Sequence, residues 1–188
     1  MRADARKNYD QILLVARDLV GREGANVSLR EVARTAGVGL GTLQRHFPTR
    51  EVLLEALLRE SFDRLTTRAV ELESSDETGA ALINWLRETV AMAHDYSGAI
   101  KSMVAAIEDE ESALHASCVS MKAAGTRLLD RAQQASQARR DMDGADLFAF
   151  VGALSWVADQ PGLAARSDHI FDIVAGAIRA ESPSGQIN

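Results

Sequence analysis

Two groups of residues have types and spacings that could do chemistry. The first is Gly39, Leu40, Gly41, Gln44 and Arg45, which share the outer face of one short helical stretch. Small residues there allow close approach to another surface, and the polar tips can reach base edges or phosphates. That is recognition chemistry, and it forms and breaks no covalent bond. The second is Glu111, His115 and Cys118, spaced i, i+4, i+7, so that all three fall on one helix face. Such a set could hold part of a transition-metal site, as in a helical metal sensor or a ferritin-like bundle. The Glu-x-x-His pair of di-iron bundles is missing, because Leu43, Ala91, Ser112 and Arg166 stand three before the histidines. The favoured expectation is therefore no metal, with Glu108 to Glu111 as a solvated acidic corner. No Gly-rich phosphate loop, G-x-S-x-G elbow or H-E-x-x-H occurs, so no catalytic residue, cofactor or enzyme activity is expected.

The elements that position these groups are all helical. The chain of 188 residues has thirty-one alanines and three prolines, Pro48, Pro161 and Pro183. Nothing between the first two must break a helix. Caps and spacing predict a first helix over 4–22, ended by Gly21 and Gly24. A second starts at Ser28, with Ser28 and Glu31 as a capping box and Val27 and Val32 as a hydrophobic staple. A third runs over 39–46. Thr49 caps a fourth that reaches residue 73. Further helices are expected at 77–94, 97–108, 110–139, 144–159 and 168–180, about nine in all.

Residues 28–50 read as a helix-turn-helix. Gly37 sits where the turn calls for a positive φ. Val32, Ala33, Val38 and Leu43 supply its inner face, and Phe47 plugs the small core. Charge supports this reading. Residues 1–50 carry nine basic and five acidic side chains, net +4, whereas the remainder is net −10. The overall pI of 5.2 conceals that polarity. A basic head on an acidic body suits a polyanion-binding module.

Composition excludes several classes. Hydrophobic residues make up 46% and charged residues 26%, a globular balance. The lone Cys118 rules out an internal disulfide. The longest apolar run, Leu147 to Ala158, is twelve residues, against the ~20 a membrane span needs. With no signal peptide at the N-terminus, a cytoplasmic protein without membrane contact is expected.

Ser28-Leu29-Arg30-Glu31-Val32-Ala33, followed by Ala36-Gly37-Val38-Gly39-Leu40-Gly41-Thr42-Leu43-Gln44-Arg45-His46-Phe47-Pro48-Thr49-Arg50-Glu51, resembles the DNA-binding segment of TetR-type bacterial regulators. The Leu-Gln-Arg-His-Phe-Pro-Thr-Arg-Glu wording also resembles the SbtR-like subgroup. The resemblance implies an all-α fold, with an N-terminal three-helix domain over 1–50 and a larger helical domain over 51–181 for ligand binding and dimerisation. A disordered tail over 182–188 follows. It implies a homodimer on a palindromic double-stranded DNA operator, most simply a repressor released by a small-molecule effector. Ser28, Leu40, Gly41, Gln44, Arg45, His46 and Arg50 are the implied DNA contacts. Two of them depart from the usual pattern. Gln44 replaces a tyrosine that commonly touches phosphate, and Arg50 replaces a lysine. Glutamine can bond adenine N6 and N7 together, so Gln44 is expected to read a base.

The effector is expected among Phe62, Trp85, Met92, Tyr96, Met103, His115, Cys118 and Met121, although aromatics and methionines at helical spacing are also ordinary core. The helix over 144–159 is apolar all round and must be buried all round. Phe148, Val151, Leu154 and Trp156 on it, with Phe171, Val174 and Ile178 on the last helix, are expected at the dimer interface. The alternative is that both helices are simply core.

Overall fold

The computed structural model describes residues 2–179, with side chains from Arg6 onward. The tail expected at 182–188 lies outside the described residues. Ten α-helices and no strand occur among those described: α1 (Arg2–Glu23), α2 (Leu29–Thr35), α3 (Leu40–His46), α4 (Arg50–Leu72), α5 (Thr78–Asp95), α6 (Ser97–Ser102), α7 (Val104–Glu108), α8 (Ala113–Gln134), α9 (Gly144–Asp159) and α10 (Ser167–Ile178). The all-α expectation holds.

Three local expectations are corrected. The helix expected over 97–108 breaks at Met103, whose backbone (φ −108, ψ 10) leaves the helical region. The Met103 amide donates to both the Ala99 and Ile100 carbonyls, at 3.0 and 3.1 Å, a tightened last turn in which the Ser102 hydroxyl also donates to Ala99 at 2.9 Å. The helix expected from 110 starts at Ala113, because Asp109 takes the Glu111 amide and Ser112 takes the Leu114 amide, both at 3.1 Å. It stops at Gln134, ahead of Ser136 in the left-handed region at φ 57. The third correction is the capping box. Ser28 stands at the N-cap of α2 in extended conformation, but its side chain makes no capping bond. Glu31 lies 3.6 Å from Arg34 instead. The two staple positions, Val27 and Val32, are both buried.

Contacts divide the chain into two compact units. One holds residues up to Ser61 together with 95–118, and the other holds 62–94 together with the residues from 119 onward. The expected boundary at residue 50 falls inside the first unit. Its core is Ile12, Ala16, Leu19, Val20, Val32, Leu43, Phe47, Leu53 and Leu57. Arg17 of α1 pairs with Glu60 of α4. Helix α6 approaches the 3-10 turn Gly24–Asn26 so closely that a Cβ on Gly98 would stand 3.1 Å from that of Ala25.

The second unit is built around Trp85, which is fully buried. Its indole N–H donates to the Leu65 carbonyl at 2.8 Å, and Phe148 meets its ring edge-to-face at 6.0 Å. Gln137 closes the start of α5 by accepting from the Thr78 hydroxyl and the Gly79 amide. Asp143 and Asp146 form a complete capping box on α9, the motif that sequence placed on α2. The α8–α9 loop is tied to the end of α10 by Arg139, whose amide donates to the Ile178 carbonyl at 2.9 Å. The Arg139 guanidinium grips Asp141 through two 2.6 Å bonds and holds that carboxyl down to about 2.

Candidate nucleic-acid interface

Local sequence explains how the reading element is set. Gly37 has φ +69, a conformation with a steric cost for any residue carrying a Cβ, and this reverses the chain between α2 and α3. The Val38 amide closes the turn on the Ala33 carbonyl at 3.0 Å. Leu43 and Phe47 are 0% and 1% exposed, which fixes the rotation of α3 about its axis. Gly41, Gln44 and Arg45 are therefore turned outward and exposed, with Leu40 and His46 half-exposed. A Cβ built on Gly41 would meet nothing within 4 Å. The fold does not require glycine there, whereas close approach of another surface would.

Pro48 ends α3, and Thr49 starts α4 as expected, its hydroxyl accepting from the Val52 amide at 3.3 Å. This brings Arg50 to an exposed first turn. Among the described residues Arg50 has one ion pair, a long 3.6 Å contact with Glu51. The backbone amide of Glu51 and the Thr49 hydroxyl hold the Glu51 carboxyl below its usual range. Arg45 and Arg30 are exposed and make no ion pair with a described residue, so they are uncommitted cations beside the reading helix. Ser28 keeps an exposed hydroxyl at the start of α2.

Tyr9 was missed by sequence reasoning. It reaches from α1 to stack on Phe47 (5.1 Å between centroids, 28° between planes) and meets the His46 ring edge-on at 5.9 Å. Aromatic pairs of this kind add about 0.5–1.5 kcal/mol beyond the area they bury. The available signal was its spacing: Tyr9 stands at i−3, i−4 and i−7 from Ile12, Leu13 and Ala16 and so prolongs their apolar stripe by one turn.

The other candidates separate by environment. Phe62, Trp85, Met92 and Met121 belong to the second unit, and Tyr96, Met103, His115 and Cys118 to the first. All but the half-exposed His115 are buried. The Trp85 N–H is spent on a backbone carbonyl, and His115 Nδ1 bonds the Ile107 carbonyl at 2.8 Å. Two clefts in the second unit involve none of these eight. One of about 350 Å³ lies between Arg139, Met142, Phe150 and Ile178, and one of about 190 Å³ between Arg87, His94, Leu154 and Phe171. No three His, Cys, Asp or Glu side chains among the described residues could share a metal ion, which removes the support for the alternative reading from Glu111, His115 and Cys118.

Of the residues expected at a dimer interface, Val151, Leu154, Phe171 and Ile178 are buried inside the chain itself. Phe148, packed on Trp85, and Val174 are half-buried. Trp156 is 56% exposed. What α9 turns outward is Ala149, Gly152, Ala153 and Trp156, and α10 adds Ile173, Gly176 and Ala177. This uncharged face follows the i, i+3, i+4, i+7 spacing of a helix stripe. Its small residues carry a weaker hydropathy signal than the leucines and valines beside them.

Comparison with known proteins agrees with this geometry. Residues 12–57 match the bacterial regulatory proteins of the tetR family, and residues 77–180 match the SbtR-like transcriptional regulator C-terminal domain. The chain belongs to the TetR family of bacterial transcriptional regulators, and its larger part is of the SbtR-like kind. A TetR regulatory protein from Mycobacterium vanbaalenii is 31% identical, with 95% of this chain and 99% of that one aligned at a TM-score of 0.72. A TetR regulator from Streptomyces coelicolor is also 31% identical, over 92% and 99%, at 0.73. An HTH-type transcriptional regulator from Staphylococcus aureus is 32% identical over 74 residues, 39% of this chain and 40% of that relative. Among the described residues no helix is long and apolar enough to cross a membrane.

Proposed function

We propose that this regulator binds a palindromic operator as a homodimer and represses transcription in the cytoplasm until a small-molecule effector releases it. The observation that carries the DNA reading is the rotation of α3, with Leu43 and Phe47 buried and Gly41, Gln44 and Arg45 outward. In this reading Leu40, Gly41, Gln44 and Arg45 line the major groove, and Ser28, His46 and Arg50 hold the backbone. Residues 1–50 act as the reading head, and residues 51–181 carry dimerisation and effector response.

The test is selection of genomic fragments by the purified protein, followed by affinity measurement over a salt series. A palindrome with half-sites about one helical turn apart is expected. Affinity should fall about a thousandfold or more between 50 and 200 mM salt if about six or more phosphates are contacted. A flat salt response or an asymmetric single half-site would overturn the reading.

The uncharged face of α9 and α10 supports the dimer. A single module binds DNA too weakly and reads too few bases for genomic specificity. Ala153 is exposed, and Gly152 and Gly176 have open space around a would-be Cβ, so each can approach a second copy closely. Ala153→Glu is expected to give a folded monomer by light scattering, with helicity unchanged and operator binding lost. A dimeric Ala153→Glu protein would place the interface elsewhere.

A further inference from the structure

We propose that Tyr9 is a positioning residue of the DNA interface, acting through His46. The inference rests on the DNA reading above and assigns a role to a residue outside the helix-turn-helix. His46 ends α3, and Phe47 and Pro48 carry the chain to Thr49 and Arg50 at the start of α4. The two implied backbone contacts, His46 and Arg50, therefore flank one corner. Phe47 anchors that corner from inside, and the Tyr9 ring lies stacked against it.

The His46 imidazole makes no hydrogen bond to a described residue. Its ring neighbours are Tyr9 at 5.9 Å, nearly perpendicular at 69°, and Phe47 at 6.3 Å. A half-exposed imidazole held by no hydrogen bond would sample several rotamers and would have to be ordered on binding. A ring standing edge-on to a second ring, itself stacked on a buried third, has its orientation restricted beforehand. Ordering a contact group before binding is a gain in affinity made without a new contact. Tyr9 comes from α1, so the first helix sets the geometry of the corner that follows the reading helix.

The test compares Tyr9→Phe, Tyr9→Leu, His46→Ala and the Tyr9→Leu/His46→Ala pair on the selected operator, with the His46 ring protons followed by NMR. Tyr9→Leu keeps apolar volume and removes the ring. It should weaken binding severalfold, up to about tenfold, as the cost of ordering one side chain on binding would, and shift the His46 resonances. Tyr9→Phe should keep both affinity and resonances. In the His46→Ala background Tyr9→Leu should cost nothing further, because coupled residues are not additive. Tyr9→Met replaces Leu if the leucine protein does not fold. Full affinity in the Leu or Met variant, or a loss that adds to that of His46→Ala, overturns the proposal. A loss in Tyr9→Phe equal to that in Tyr9→Leu also overturns it, since the hydroxyl would then be the contact. A wild-type protein that selects no DNA overturns the DNA reading and this inference with it. A wild-type that binds, with a Tyr9→Leu protein binding equally well, overturns this inference alone.

Discussion

Trp85→Ala is expected to lower stability by about 3–5 kcal/mol, the range for emptying a large aromatic site that cannot collapse. Trp85 has no exposed surface. Its indole N–H is fixed to the Leu65 carbonyl, so the substitution also leaves a buried acceptor without its donor. The ring lies so close to α8 that a Cβ on Gly125 would clash with it, and would stand 3.2 Å from Phe148. Gly125→Ala should therefore cost about 1–3 kcal/mol by overpacking, because the hydrogen bond stops the ring from retreating. Urea denaturation followed by circular dichroism measures both. The outcome also decides what Trp85 is for. A tryptophan lining an open ligand cavity would lose well under the expected amount on truncation. A loss below about 1 kcal/mol would return Trp85 to the effector-site candidates, against the core role its burial supports.

The helix-turn-helix was legible because each of its constraints has a strong local signature. Gly37 marks the positive-φ turn, Val27 and Val32 the staple, Phe47 the plug and Pro48 the stop, and each is where expected. The capping box was misplaced because its residue types recur. Ser28 and Glu31 match the pattern without bonding, whereas Asp143 and Asp146 bond without drawing attention. Sequence spacing specifies only that two side chains can meet. The break at Met103 had no Pro or Gly to announce it: the Met103 amide is shared between the Ala99 and Ile100 carbonyls, at 3.0 and 3.1 Å, as the turn tightens. On α9, all-round apolarity predicted burial on every side, whereas one side is exposed in the single chain. The chain's own core takes Leu147, Val151 and Leu154, and leaves Ala149, Gly152, Ala153 and Trp156 outward. Tyr9 continues the spacing of Ile12, Leu13 and Ala16, so its inward face was legible, whereas its ring partners, nearly forty residues away in the chain, were not.

Gln44→Ala is expected to lower operator affinity by about 1–3 kcal/mol per half-site, with the loss concentrated at one adenine position. The argument begins from exposure. Gln44 is outward on α3 and makes no hydrogen bond to a described residue, so removing it should leave folding stability within about 0.5 kcal/mol. Any loss of binding is then a loss of contact and not of structure. Glutamine carries one donor and one acceptor in the arrangement that adenine presents in the major groove, and it has no charge with which to grip phosphate. Arg45, one residue on, is an exposed cation with no acidic partner among the described residues, and its planar fork can engage a guanine edge or a phosphate. Binding of each variant to every single-base change of the selected site separates these roles. A base-reading Gln44 loses discrimination at one position and keeps its salt slope. A backbone-gripping side chain loses affinity evenly across sequences, and a cationic one also lowers the slope by about one. For Arg45→Ala either pattern is informative, since it assigns the fork to base or phosphate. For Gln44→Ala an even loss would mean that the departure from tyrosine kept the backbone role. An operator with no adenine preference, bound equally well by the Gln44→Ala protein, would mean that this residue reads nothing.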